Sequence, residues 1–292
     1  MGAVVMRDFS RDLAHLSINS ATVRKQLALP AIIEACARRG IQAIDPWRDQ
    51  VAAAGLAHVA RQLKDAGVVL SGYCRGGFFT ATDAAELRAA LEDNRRAIDE
   101  AKTLDAPCLV MVAGSLPGAL QGTPQSHDIA LARSQVFDGM ASTLEYARQV
   151  GMPLAIEPLH PMQAAERACV NTLEQALDIC DALDPGRTGA LGVALDVYHV
   201  WWDPKLEAQI ARAGRKRLLA YHVCDWLVPT RDLLNDRGMM GDGIIEQKKI
   251  RGWIEAAGYT GFAEVEIFSD RWWSNSADEV LDTCVARYQS VV

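Results

Sequence analysis

Residues 192–202 read GVALDVYHVWW, a short apolar run that ends at an aspartate and is followed by aromatic residues. Three further segments have the same form: LAIEPLHP at 154–161, LLAYHVCDW at 218–226 and GYTGFAEVEIF at 258–268. In each, a strand-like apolar run reaches an acidic residue or a histidine. Helix-like stretches separate the four segments, and this alternation predicts parallel strands joined by helical crossovers.

The same alternation runs along the whole chain of 292 residues. The pattern predicts strands at 15–19, 43–46, 68–73, 108–113, 153–157, 192–196, 218–222 and 262–267, and helices at 29–39, 83–103, 129–149, 172–183, 207–217 and 250–257. Eight such units without a Pro/Gly/Ser-rich linker predict an α/β fold, a single (β/α)8 TIM barrel with residues 1–292 as one domain. A doubly wound open sheet is the alternative, but its usual glycine-rich phosphate fingerprints are absent.

Charge and cysteine content exclude several classes of protein. The 37 acidic residues outnumber the 30 basic ones and give a net charge of −7, which disfavours binding to a phosphate backbone. No apolar run approaches the roughly 20 residues of a membrane span, and the first residues lack a signal-peptide core. We therefore expect neither a nucleic-acid partner nor a membrane partner. Seven cysteines without a CxxC pair disfavour a disulfide framework and predict a reduced, cytoplasmic protein.

Strand parity selects a candidate metal site. Side chains alternate across a strand, so where the apolar set faces the helices, the other set faces the barrel interior. In the last four strands the inward sets end in Glu157, Asp196, His222 and Glu266. All four stand at C-terminal strand ends, where barrel active sites lie, and would repel one another without a cation. The ligand types favour one divalent ion, Mn²⁺ first and Mg²⁺, Co²⁺ or Zn²⁺ as alternatives. Solvated strand ends or helix N-caps are the competing interpretation.

The four quoted segments resemble those of the sugar isomerase/epimerase superfamily, the xylose isomerase-like TIM barrels that include ketose 3-epimerases, hydroxypyruvate isomerases and inosose-processing enzymes. The resemblance covers the chain in strand order, with its strongest motifs between residues 153 and 268. It implies that the four residues selected by parity bind one divalent metal ion. It also implies a small-molecule sugar substrate and a homo-oligomer, either a dimer or a tetramer.

The resemblance implies proton transfer next to a carbonyl through a metal-stabilised enediolate, with Glu157 and Glu266 as the acid/base pair. No phosphate cradle is evident, so the expected substrate is an unphosphorylated keto-sugar or a related polyol ketone. In the same family, enolisation followed by β-elimination gives a lyase of 3-keto-glycosides or an inosose dehydratase. An apurinic-site endonuclease would need more metal ligands than the sequence offers, and a non-catalytic sugar-binding barrel is the alternative from another class.

Four substrate-binding residues are predicted around this centre. By resemblance, His199 in the D-x-x-H pattern contacts a substrate oxygen, and Arg231 is similar to the substrate-binding arginine of the family, although Arg237 is too near in sequence to be separated from it. His160, in a Pro-flanked loop, is in position to reach substrate, with a surface histidine as the alternative. Trp47 is one of six tryptophans just beyond strand ends, where they suit either the faces of a sugar or a subunit interface.

Two further acidic residues are predicted to act behind the metal ligands. By resemblance, Asp225 in the H-x-x-D pattern supports the ligand set or serves as a second ligand. Glu264 points inward one layer below Glu266, where the family more usually has a small residue, so it needs a cationic partner or a raised pKa. A second departure is Gln163, which stands where ketose 3-epimerases often have a glutamate.

Overall fold

A computed structural model describes residues 6–292 of the chain. Its strands are short and run in chain order as β1 (Leu16–Asn19), β2 (Ala43–Asp45), β3 (Val69–Leu70), β4 (Cys74–Gly77), β5 (Leu109–Val112), β6 (Leu154–Glu157), β7 (Leu191–Asp196), β8 (Leu218–Val223), β9 (Asp225–Trp226), β10 (Arg237–Gly238) and β11 (Ala263–Val265). Each segment predicted from the sequence contains or overlaps one of these strands.

Helices separate most of the strands. They are α1 (Leu29–Arg38), α2 (Arg48–Ala54), α3 (Leu56–Ala66), α4 (Ala84–Thr103), α5 (Ile129–Val150), α6 (Leu173–Leu183), α7 (Val197–Val200), α8 (Leu206–Arg217), α9 (Gln247–Ala256), α10 (Asp270–Trp273) and α11 (Ala277–Ser290). At three helix N-termini, side chains accept hydrogen bonds from backbone amides: Asp83, Thr172 and Ser276. Within residues 6–292, no helix has the length and apolar character needed to cross a membrane.

Nine strands form one parallel sheet in the order β3-β2-β1-β11-β8-β7-β6-β5-β4. The third predicted strand, 68–73, contains β3, which pairs with β2, and β4 begins directly after its predicted end and pairs with β5. The segment between β3 and β4 bonds to both neighbours, because the Ser71 amide donates to Ile44 and the Val110 amide donates to Tyr73. The sheet therefore closes on itself, and the predicted (β/α)8 TIM barrel is confirmed.

Side chains are distributed between the two faces of the barrel wall as strand parity predicts. Ala155, Ala194 and Ala220 pack together inside the barrel. Their strand neighbours, among them Ile156 and Leu195, belong to the large core between the strands and the helices. Small interior side chains leave room at the C-terminal strand ends for larger polar groups. All seven cysteines are buried and free of disulfides.

A fully buried arginine anchors the strand that carries His222. Arg217, the last residue of α8, directly precedes β8 and donates to Asp184 at 2.8 Å and to the Leu191 carbonyl at 2.7 Å. Burial alone would raise the pKa of Asp184, but hydrogen bonds from Thr188 and the charge of Arg217 outweigh it and lower the pKa. The pair therefore fixes the start of β8 relative to α6 and β7.

We expect Asp184→Asn to lower the free energy of unfolding by about 2–4 kcal/mol at pH 7, because it leaves the buried Arg217 with only the more distant and more exposed Asp181, 3.3 Å away, as a charged partner. Asp178→Asn, which removes an exposed partner of Arg212, should change it by less than about 1 kcal/mol. The lowered pKa means that Asp184 stabilises the fold above about pH 4, and that this contribution is lost as the pH falls through the folded-state pKa. Urea titrations at several pH values measure the difference, and equal effects of the two variants would contradict this assignment.

Candidate metal centre

Four side chains converge at the C-terminal mouth of the barrel. One donor atom from each lies within 4.8 Å of all the others, and the residues are those that parity selects: Glu157, Asp196, His222 and Glu266. The first three lie on β6, β7 and β8, and Glu266 follows β11, where its amide bonds to the Val223 carbonyl. All four are buried. The barrel thus gathers three carboxylates and one imidazole in a space the size of one coordination sphere.

His222 stands between two groups of carboxylates. Its Nδ1 atom lies 3.3 Å from Glu157 Oε1 and 3.6 Å from Glu266 Oε2, while Nε2 lies 3.5 Å from Glu264 Oε1. Burial alone would lower the pKa of His222, but the surrounding carboxylates raise it well above its usual value. In the absence of a metal ion, the imidazole therefore carries a proton that a cation would displace.

Three buried atoms of the cluster have no hydrogen-bond partner among the described residues: Glu157 Oε1 and both ring nitrogens of His222. Glu157 Oε1 and His222 Nδ1 face each other at 3.3 Å. Buried polar atoms are normally paired, so an orphaned carboxylate oxygen beside an orphaned ring nitrogen indicates an absent ligand. Oxygen donors with one imidazole nitrogen fit a divalent cation such as Mn²⁺, Mg²⁺ or Zn²⁺. The residues present therefore fit the predicted metal.

The two carboxylate oxygens of Asp196 accept different hydrogen bonds. Its Oδ1 atom accepts the Tyr198 amide at the start of α7, so the N-cap interpretation holds for this oxygen. Its Oδ2 atom accepts Arg237 Nη1 at 2.8 Å, and the same nitrogen lies 3.1 Å from Glu266 Oε2. Burial alone would raise the pKa of Asp196, but the Arg237 charge and the nearby histidines lower it, so this carboxylate is ionised.

Glu157 differs from Asp196 in its environment. Burial raises its pKa to about 7, although the nearby His222 acts in the opposite direction. A carboxyl group with a pKa near neutrality exchanges a proton readily at physiological pH. Without a bound metal ion, Glu157 thus takes up a proton near neutral pH, whereas Arg237 holds Asp196 in its charged form.

A second layer supports the cluster from inside the barrel. Glu264 accepts a hydrogen bond from Asn19 Nδ2 at 2.8 Å and one from Ser71 Oγ at 2.8 Å, behind the ring of His222. Burial raises the pKa of Glu264, as the sequence analysis requires of an acid at this depth. Asp45, which that analysis did not select, lies beside it and accepts the Cys74 amide at 3.0 Å.

The two predicted substrate-binding histidines lie above this layer, in different settings. His199 on α7 is buried, lines the cleft above the cluster and accepts the His160 amide through Nδ1 at 3.1 Å. Burial lowers the pKa of His199 to about 3, so its ring is neutral, and its Nε2 atom lies 3.2 Å from Arg237 Nη2. His160 does not line the cleft; its ring stacks on Trp226 with centroids 4.8 Å apart, and burial lowers its pKa.

Arg237 lies in the cleft, but Arg231 does not. Arg231 is exposed, and its amide donates to Asp236, while Arg237 is buried on β10 and contacts Asp196 and Glu266. Asp225 is buried on β9, and its carboxylate accepts the amides of Trp226, Gly241 and Ile245. The structure thus gives Asp225 a role in holding this loop and places it outside the four-ligand set.

Aromatic and cationic residues form the walls of the cleft. Trp47 lines it as predicted and donates through Nε1 to Asn19. The sequence analysis missed several other lining residues, among them Arg75, Phe78, Arg167 and Phe268. They stand in loops or at a strand irregularity, where periodicity carries no signal. The cleft is therefore a partly apolar space above a charged floor.

We expect about one divalent ion per chain in the wild-type protein and an affinity at least tenfold lower in Glu157→Gln. Glu157 Oε1 bonds to no described residue, so this change removes a ligand without breaking a hydrogen bond made by that oxygen. Glu166→Gln, an exposed change nearby, is the control. Titration with Mn²⁺ after chelation measures both, and unchanged affinity in Glu157→Gln would contradict the assignment.

Glu264→Gln should lower metal affinity by about 10- to 100-fold, because the His222 ring loses the carboxylate behind it. Ser71→Ala removes only one hydrogen bond to Glu264, so its effect should be smaller. Metal titration with melting temperatures as a fold control tests this. Equal affinities in Glu264→Gln and the wild type would show that the carboxylate does not act on His222.

Comparison with known proteins agrees with this architecture. A family model described as xylose isomerase-like TIM barrel matches residues 33–285. An inosose isomerase of Halalkalibacterium halodurans is 25% identical over 213 residues, which cover 70% of this chain and 69% of that protein.

Two solved structures extend the comparison. Protein SMc04130 of Sinorhizobium meliloti 1021 is 57% identical with a TM-score of 0.91, over 96% of this chain and 99% of that one. The IolI protein, whose structure has a bound zinc atom, is 20% identical with a TM-score of 0.80, over 94% of this chain and 98% of that one. The chain therefore belongs to the xylose isomerase-like TIM barrel family.

Proposed function

We propose that the protein is a divalent-metal-dependent isomerase or epimerase of a keto-sugar or related polyol ketone, with Mn²⁺ as the preferred ion. The observation that carries this proposal is the orphaned pair of Glu157 Oε1 and His222 Nδ1 within a four-ligand set at the barrel mouth. The similarity to an inosose isomerase, whose name refers to a cyclic polyol ketone, supports the substrate class. The zinc atom in IolI supports a divalent ion at such a site.

In this proposal the two acid/base residues flank the other two ligands. The ligand-bearing strands are adjacent in the order β11, β8, β7 and β6, so Glu266 and Glu157 stand at the two ends of the row. A substrate between them has a carboxyl group near each side. One can then remove a proton from carbon while the other returns a proton.

The remaining groups have distinct tasks in this proposal. When bound, a divalent cation supplies positive charge next to the substrate oxygens. Arg237 keeps Asp196 ionised, and the neutral His199 ring, which lines the cleft beside Arg237, contacts a substrate oxygen. Trp47, Phe78 and Phe268 line the cleft and limit the access of water to the reacting carbon.

We expect the metal-loaded protein to incorporate solvent deuterium next to the carbonyl of a keto-sugar or an inosose. Glu266→Gln should slow this exchange by about 10²- to 10⁴-fold, the usual contribution of a positioned acid or base. Glu166→Gln should exchange at the wild-type rate. Mass spectrometry of the products measures exchange and outcome together.

The products distinguish the alternatives. An isomer of equal mass supports the isomerase or epimerase, whereas loss of water or two fragments would identify the lyase or dehydratase instead. Saturable sugar binding without exchange in the metal-loaded wild type would contradict catalysis and favour a sugar-binding barrel. Full activity in Glu266→Gln would remove Glu266 from the acid/base pair.

A further inference from the structure

Two arginines line the cleft without a carboxylate partner. Arg75 lies on β4 and Arg167 in the loop after β6, and both border the space next to Glu157 and Glu266. Among residues 6–292, no carboxylate oxygen lies within 4.0 Å of either guanidinium, and neither side chain donates a hydrogen bond. Most other cleft-facing charge is paired, as Arg237 shows with Asp196 and Glu266.

Arg75 is partly buried, and no carboxylate lies within salt-bridge distance of it among the described residues. Arg75 is the unpaired residue of a bulge in β4, where the register with β5 shifts between Cys74 and Gly76. Its guanidinium carbon lies 4.0 Å from the centroid of the Phe78 ring and 5.4 Å from that of Trp47. Burial lowers the pKa of Arg75 to about 10, so the group is charged at neutral pH. Contacts with ring faces leave the N–H groups at the guanidinium edge available to a ligand.

Arg167 adds a second positive charge to the same wall. The loop holds it through its backbone, since the Arg167 amide donates to the Gln163 carbonyl at 2.9 Å. It is close enough to Arg75 for its charge to contribute to the lowered pKa of that residue. Two like charges at one wall repel each other, and an anion between them would remove that cost.

The charge balance of the cleft also favours an anionic ligand. The carboxylates of Glu157, Asp196 and Glu266 carry three negative charges, and Arg237 offsets one of them. A divalent ion on the four ligands offsets the other two. The charges of Arg75 and Arg167 are then left over, and the cleft has a net positive charge at the wall beside the metal ligands.

We propose that Arg75 and Arg167 form a subsite for an anionic oxygen group of the substrate, a carboxylate or a phosphate, so that the substrate is an acidic keto-sugar rather than a neutral one. This inference rests on the proposed function, because it names a group on the substrate of that reaction. The planar donor edge of a guanidinium matches two oxygens of either anion. The rings of Phe78 and Trp47 contact the Arg75 guanidinium and position it at the cleft.

The test compares three ketoses that differ only at carbon 6: fructose, fructuronate and fructose 6-phosphate. Calorimetric titration of the Mn²⁺-loaded protein at constant ionic strength measures their affinities. We expect at least one anionic form to bind about tenfold or more tightly than fructose, and the double variant R75Q/R167Q to bind all three equally. Arg61→Gln, an exposed change on α3, should keep the wild-type preference.

Each outcome decides the proposal. Preference for fructuronate identifies a carboxylate and preference for fructose 6-phosphate identifies a phosphate; either supports the subsite. Equal binding of the three ketoses, no saturable binding of either anion, or a preference that survives in the double variant would overturn it. Deuterium exchange is measured separately, so exchange without an anionic preference would retain the proposed function and reject this subsite.

Discussion

Buried negative charge at the barrel mouth is the constraint on which the site depends. Three carboxylates with donor atoms within 4.8 Å of one another would cost several kcal/mol each if they were buried without compensation. The chain compensates one side with Arg237, which contacts Asp196 and Glu266. On the other side, Glu157 Oε1 and His222 Nδ1 are left free. This asymmetry leaves a place for a cation at one side of the cluster.

The loop after β8 positions Arg237 in the site. The ribbon of β9 and β10 brings Arg237 back over the barrel mouth, where its guanidinium also lies 4.5 Å from the Tyr198 ring centroid. Asp225 holds this ribbon by accepting three backbone amides. Asp225 therefore stabilises the loop, although its position three residues after His222 alone resembles that of a metal ligand.

Strand parity predicted the part of the site that regular geometry determines. The last four strands have clear apolar alternation, so the positions of Glu157, Asp196, His222 and Glu266 follow from the period of two. The same argument applied to β1 and β2 would have found Asn19 and Asp45, the polar ends of their inward sets. Strand parity could not predict Arg75. The third predicted strand ends before it, and the bulge in β4 between Cys74 and Gly76 reverses the alternation of side chains there. The sequence could not show whether Arg231 or Arg237 lies in the cleft, because this depends on the pairing of β9 with β10, which leaves no periodic pattern in the sequence.

The most direct test of the account is an anomalous diffraction experiment on crystals grown with Mn²⁺. The account predicts one strong anomalous peak per chain, bound by oxygen atoms of Glu157, Asp196 and Glu266 and by Nδ1 of His222. A peak elsewhere in the barrel, or a cluster that remains metal-free while its four side chains keep these positions, would contradict the claim that the four strand ends form a metal centre.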